Sequence, residues 1–354
     1  MSDSNILFKK PSYPINKLLF DYLERFDRIS KVSVCYDDLL RFSGAISVYD
    51  KNDQDTLWAR VFYNEFERNE IDFNLKKIYS LLHSDGNEDI IKFLNVDSID
   101  YCTFGNSKPF RVKVRNILND NYTNFYVKKA DASRIYGLEL EHILSPDKIN
   151  FLVYEDTLIE EHIIGIPGDV FMETLLTSCS ESEKAQIAKE FVKFNERCMI
   201  RLLGDMRAYN YVIVPIHDFD QVVYKIRPID FDQQCYEGNF KIYRPQFFKE
   251  NLPMVRLVRE KLQDSSIEQY KNEERAALAK RIISAENRIK RILRIMGQDN
   301  IAPPEHIEQL KMELYRYTND MNFKNAKRMG NVLSAAFKFI TRNYKHANLF
   351  KPGF

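Results

Sequence analysis

Residues 202–214 read LLGDMRAYNYVIV, and residues 226–233 read IRPIDFDQ. Asp205 and Asn210 stand five residues apart, between a helical pattern and a β-rich run. Asp230 closes the hydrophobic strand of the hairpin that follows. Phosphoryl transfer needs a carboxylate to position an attacking hydroxyl and oxygen ligands to hold Mg²⁺ on a triphosphate. An Asp, an Asn and a second Asp in this order can supply both. Taken singly, each also suits a solvated loop in which Asp and Asn make turns.

Working outward, the hairpin is the pair YVIVPI and VVYKIRPID around HDFDQ. Upstream, Ser180 with Glu183 three residues on matches a capping box and predicts a helix ending near Leu203. Ile187, Phe191, Phe194 and Cys198 lie on it at core spacing. Further upstream, SIDYCTF, FRVKVRNI and NFYVKKA are β-rich runs separated by the turn-bearing GNSKP and LNDNYT. They predict three successive antiparallel strands. A short helix follows over residues 132–144, then two strand-like runs, NFLVYED and LIEEHIIG. Residues 12–95 are mostly helical in period, with Leu75, Ile78, Leu81 and Leu82 on one apolar face. The chain from about Pro245 is predominantly helical, with a stripe through Leu278, Ile282, Ile289 and Leu293 and a stop at Gly297.

This arrangement resembles the protein kinase-like superfamily, in particular its aminoglycoside phosphotransferase and choline kinase-like branch. That branch carries an HGDxxxxN loop and a later Ile-Asp followed by Phe or Trp; LGDMRAYN and IDFD keep the Gly-Asp, the Asn and the Ile-Asp-Phe. The resemblance covers about residues 100–250. It implies an α+β, bilobal kinase-like fold with a five-stranded antiparallel N-lobe, a helical C-lobe and a helical N-terminal extension. The expected boundaries are 1–95, 96–165 and 166–354. It also implies ATP and Mg²⁺ as cofactors, with Asp205 as catalytic base, Asn210 as a metal ligand and Asp230 as the principal one. Arg207 would steady phosphate charge in the transition state. Leu203 departs from the pattern, standing where the family usually has a structural His.

The same resemblance expects a lysine on the third strand of the small lobe, to neutralise α and β phosphate oxygens. Lys128 is the choice, with Lys129 as its rival on the opposite strand face. Its glutamate partner on the next helix is assigned to Glu139, with Glu141 as the alternative. Gly105 and Lys108 fall in the turn where backbone amides would cover the phosphates, although a plain hairpin turn explains GNSKPF as well. Glu161, His162 and Ile163 fall where backbone would meet adenine, or at the end of an ordinary buried strand. Asp232 is either a further metal contact or a polar turn residue, and the latter is preferred.

The 354 residues and their 44% apolar content are ample for a core domain with additions or for two domains. A net charge of +1 argues against a dominant polyanion-binding surface, and gives no strong nucleic-acid signal. Arg281, Arg288, Arg291 and Arg294 form a basic helix face, read as a solvated surface balanced by neighbouring Glu. The dispersed, odd-numbered cysteines form no CxxC pair. With no secretory signal and no run of roughly 18 apolar residues, the expectation is a cytoplasmic protein without membrane contact. The short stretch after IDFD, with Tyr236 and Tyr243 but no obvious regulatory Ser or Thr, favours a small-molecule acceptor over a protein. A nucleotide-binding pseudokinase or scaffold, or a protein kinase, are the alternatives. The acceptor and the oligomeric state are not legible.

Overall fold

The computed structural model describes residues 10–104, 107–219 and 221–345. The chain divides into two compact units, Met1–Ala132 with Ile149–His162, and Ser133–Lys148 with Ile163–Phe354.

The first unit is built on one antiparallel sheet. Its elements are α1 (Lys17–Arg25), α2 (Tyr36–Leu39), β1 (Gly44–Tyr49), β2 (Asp55–Phe62), α3 (Glu65–His83), β3 (Leu94–Cys102), β4 (Phe110–Asn116), β5 (Asn121–Lys129), β6 (Phe151–Tyr154) and β7 (Thr157–Glu161). The sheet has seven strands in the order β1-β2-β3-β4-β5-β7-β6. The five strands expected from residue 98 onward are present, but a sheet of five is not what forms. The N-terminal stretch, read as helical, contributes β1 and β2 as well as helices. Trp58–Arg60 of β2 pair with Asp100–Cys102 of β3, which joins this hairpin to the rest.

Period-two alternation divides the sheet into two unlike faces. Val61, Ile99, Phe110, Val112, Phe125, Val127 and Ile159 enter one apolar core with Leu75, Ile78 and Leu82 of α3. Burial of this face is the main stabilising term, at about 25 cal/mol per Å² of apolar surface. The opposite face carries polar and aromatic side chains. Arg60 and Arg111 both bond the buried Asp100, at 3.1 and 2.9 Å, and Arg111 lies over the Trp58 ring. Register places Tyr126 opposite Arg111, and Lys128 on the same face two residues on.

The second unit is mostly helical. It contains α4 (Ala132–Leu144), β8 (Ile166–Pro167), α5 (Gly168–Thr174), α6 (Glu181–Arg201), β9 (Tyr211–Asp218), β10 (Gln221–Pro228), α7 (Leu252–Lys261), α8 (Asp264–Ser284), α9 (Glu286–Met296), α10 (Pro304–Thr318), α11 (Met321–Lys324) and α12 (Met329–Asn343). The helix over 132–144 has the bounds expected of it. The capping box at Ser180 and Glu183 is formed, and Ile187, Phe191, Phe194 and Cys198 of α6 are buried. β9 and β10 make the expected hairpin, with β8 on the outer side of β9. The stripe from Leu278 to Met296 is split between α8 and α9 at Ala285. Gly330 of α12 allows close contact there, since a Cβ on it would lie 2.2 Å from the Met296 carbonyl carbon. Among the described residues no helix is long and apolar enough to cross a membrane.

Candidate active site

The loop after α6 is shaped by its backbone. Leu202 ends the helix in the left-handed region, at φ 52°, and Asp205 adopts φ 56°. Gly204 N–H donates to Gln233 C=O at 3.1 Å, and Cys235 N–H to Leu202 C=O at 2.9 Å. The buried Gln234 side chain also donates to the carbonyls of Arg201 and Leu202, at 2.6 and 3.2 Å. These bonds tie the 202–204 segment to the 233–235 segment, and Leu203 forms an isolated bridge with Gln234. The buried Leu203 side chain lacks a histidine's hydrogen bonds, and main-chain pairing holds the loop in their place.

A second set of bonds links the main chain around the three candidate residues. Asn210 Nδ2 donates to the Asp205 carbonyl at 2.7 Å, and its amide oxygen takes no part in that bond. Ile229 N–H donates to Asn210 C=O at 3.0 Å, so Asp230 emerges one residue beyond the rung that fixes Asn210. Tyr209 senses both acids. Burial raises its hydroxyl pKa, Arg207 opposes that, and the Asp205, Glu250 and Asp230 carboxylates add to the rise.

Beneath the loop, the fully buried Asn251 donates to the carbonyls of Met206 and Pro245, at 2.9 and 2.8 Å, and accepts from Tyr211 Oη at 2.9 Å. No sequence pattern marks Asn251 as part of this site.

Asp205 accepts from Arg207 Nε through Oδ1 at 2.8 Å. Among the described residues no donor meets its other oxygen, and the side chain is 33% exposed. Burial pushes its carboxyl above the ordinary 3.8, and the hydrogen bond and charge of Arg207 pull it back. Arg207 also bonds Glu250 at 2.9 Å and lies over the Phe248 ring. Held in this way, its guanidinium orients Asp205 as well as supplying charge.

Asp230 is engaged by a residue with no expected role. Arg134 of α4 donates through Nη2 to Asp230 Oδ1 at 3.1 Å, and through Nε to Asp232 Oδ1 at 2.6 Å. Asp232 N–H also donates to Asp230 Oδ1, at 3.0 Å. Asp232 is thus an acidic neighbour sharing one cation with Asp230.

In the first unit, Lys128 is the buried lysine and Lys129 the exposed one, their side chains 8% and 52% accessible. Lys128 forms an ion pair with Glu160 of β7 inside its own unit, whereas Glu139, the partner expected for it, belongs to the other unit. Lys128 is opposite Leu158 and Tyr126 opposite Glu160, so the lysine and glutamate are diagonal neighbours on one face, within reach of long side chains. Lys129 bonds Asp37 and Asp156, at 3.1 and 3.3 Å. Glu139 instead pairs with Arg288 at 2.7 Å, and Glu141 with Arg201. The basic face expected around α9 is therefore partly turned inward: Arg288 takes Glu139, and Arg281 donates to Leu144 C=O at 3.2 Å.

Gly105 lies outside the described residues. Lys108 is exposed with φ 38°, and its carbonyl accepts from Tyr36 Oη at 2.8 Å. Glu161 ends β7, and its N–H donates to Asn150 C=O at 3.1 Å. His162 N–H donates to Asn124 C=O at 3.3 Å, and its Nδ1 lies 3.1 Å from Tyr126 Oη. Burial, then the charge of Arg111, lowers the His162 pKa below 6.5. Ile163 is buried.

No family model and no curated protein matches the sequence. Among solved structures, the chain is similar to an ethanolamine kinase of Plasmodium vivax at 13% identity and a TM-score of 0.27, over 79% of this chain and 92% of that one. A likeness at that score decides neither fold nor function. Among the described residues no group of three or more His, Cys, Asp or Glu side chains is arranged to hold a metal ion. The Asp230 carboxylate and the Asn210 amide oxygen are hard donors of the kind Mg²⁺ takes, with other positions left to phosphate oxygens and water. By that chemistry the residues fit the metal.

Proposed function

We propose that this protein is a phosphotransferase that uses ATP and Mg²⁺ to move the γ-phosphate onto a hydroxyl of a small-molecule acceptor. The observation that supports the reading is the bonded chain from the Asp205 carbonyl through Asn210 to Ile229, which ties the loop of Asp205 to the residue before Asp230.

Asp205 receives the proton of the acceptor hydroxyl as its oxygen bonds to the γ-phosphorus. The bond to the β–γ bridging oxygen breaks, and ADP departs with that electron pair. Arg207 holds Asp205 in place, and Asn210 fixes the loop through the Asp205 carbonyl. Asp230 and Asn210 would hold the magnesium ion, which when bound neutralises charge on the phosphates. Lys128 belongs to the other compact unit, and its role as phosphate countercharge rests on the sequence resemblance alone.

A scaffold that holds nucleotide without turnover is a second reading, favoured by the hydrogen bond of Arg134 to Asp230. Incubation with γ-labelled ATP, against a metabolite extract and separately against lysate proteins, tests these readings. Label entering a small molecule with wild-type protein, and not with Asp205→Ala, supports the proposal. Label entering only proteins makes it a protein kinase, and no transfer to either favours the scaffold.

A further inference from the structure

Arg134 is nearly inaccessible, its side chain 3% exposed, yet it spans two partly exposed carboxylates. Its position does not depend on those ion pairs alone. Ser133 Oγ donates to the carbonyls of Gln234 and Asp232, at 2.6 and 3.3 Å. One turn on, Gly137 permits close packing, since a Cβ there would lie 2.9 Å from Phe231 Cβ. The start of α4 is therefore fastened to the 230–234 segment on both sides of the guanidinium.

Asp230 and Asp232 are two residues apart, and both carboxylates bond this guanidinium. Like charges so close need a countercharge, and a buried, hydrogen-bonded guanidinium is a strong one. A divalent ion at Asp230 Oδ1 would meet an oxygen already bonded to that guanidinium, and one at Oδ2 would sit close to the same positive charge.

We propose that Arg134 is a resident counter-cation for Asp230 and Asp232, so that a divalent metal gains Asp230 only in competition with its guanidinium. This rests on the reading of Asp230 as a metal ligand. It adds that metal affinity is held down by a residue of α4, which acts as a positioning residue for the acids and makes no contact with substrate.

Mn²⁺ alone serves as the probe, its free concentration followed by electron paramagnetic resonance, with wild type, Arg134→Gln, Arg134→Lys and Asp230→Asn. Arg134→Gln should bind Mn²⁺ about tenfold more tightly than wild type, as expected for loss of one charge-assisted competitor. Arg134→Lys should stay near wild type, and Asp230→Asn should lose the site. If Arg134→Gln unfolds readily in EDTA, Mn²⁺ should raise its melting temperature by more than it raises that of wild type, and failure to do so overturns the proposal. Equal or weaker Mn²⁺ binding by a folded Arg134→Gln, with binding lost in Asp230→Asn, overturns the role of Arg134 and leaves the metal site standing. Unchanged binding in Asp230→Asn, or no binding by any variant, overturns both.

Discussion

The N–H of Ile229 donates to the carbonyl of Asn210 at 3.0 Å. The β9–β10 register ends with Tyr211 opposite Pro228, so this bond adds a contact just past the last rung of the hairpin. Asn210 enters the hairpin where Asp230 leaves it. Two residues separated along the chain become neighbours through main-chain geometry, which side-chain substitutions leave largely intact.

Substituting the acids should therefore remove chemistry without removing the fold. Asp205→Ala is expected to lower phosphate transfer by about 10²–10⁴-fold, the usual worth of a positioned acid–base group. Its melting temperature should remain close to that of wild type, as read by circular dichroism.

The pH profile tests the same residue. A base works ionised, so activity falls as pH drops through its pKa. Burial raises the Asp205 pKa above 3.8, so the acidic limb should lie at higher pH than an unperturbed aspartate would give. Arg207 lowers that pKa, so Arg207→Ala should move the limb to higher pH, measured as kcat against pH.

The two adjacent lysines should behave unlike each other. Lys128→Met removes the ammonium from the buried Glu160 carboxylate and is expected to cost about 3–5 kcal/mol in urea denaturation. Lys129→Ala breaks only exposed pairs and should cost at most about 1 kcal/mol. Comparable losses would contradict the burial difference between them.

Support beneath the loop is also measurable. Asn251→Ala removes three hydrogen bonds in a fully buried place and should destabilise by about 2–4 kcal/mol. Tyr211→Phe removes one of them and should cost less, about 1–3 kcal/mol.

Acid should weaken α6. The hydroxyl of Tyr224 first, then the backbone and hydroxyl of Ser180, hold the Glu183 pKa at about 2 rather than 4.5. A depressed carboxyl pKa stabilises the fold above 4.5, and that contribution is lost as pH falls from 4.5 toward 2. Glu183→Gln should accordingly lose less melting temperature than wild type between pH 5 and pH 3. Ser180→Ala should cost about 1 kcal/mol at neutral pH.

Much of this was legible where local signals were strong. The strands from residue 98 and the helix over 132–144 are set off by turn residues and clear periodicity, and the Ser180 capping box marks the start of α6. β1 is hard to read because it lies at the sheet edge, where its apolar residues, such as the 63% exposed Ile46, follow no in–out alternation. Pairing was the other gap. Glu139 lies 149 residues from Arg288, and Lys128 meets Glu160 only through strand register. Arg134 sits in an unremarkable helix start, and only the folded chain shows that it reaches Asp230.

Background ATP hydrolysis in Mg²⁺, compared among wild type, Asp205→Ala and Asp230→Asn, probes the two acids directly. Slow turnover by wild type, with both variants at the no-enzyme rate, is the predicted result. Equal rates for all three would contradict the account.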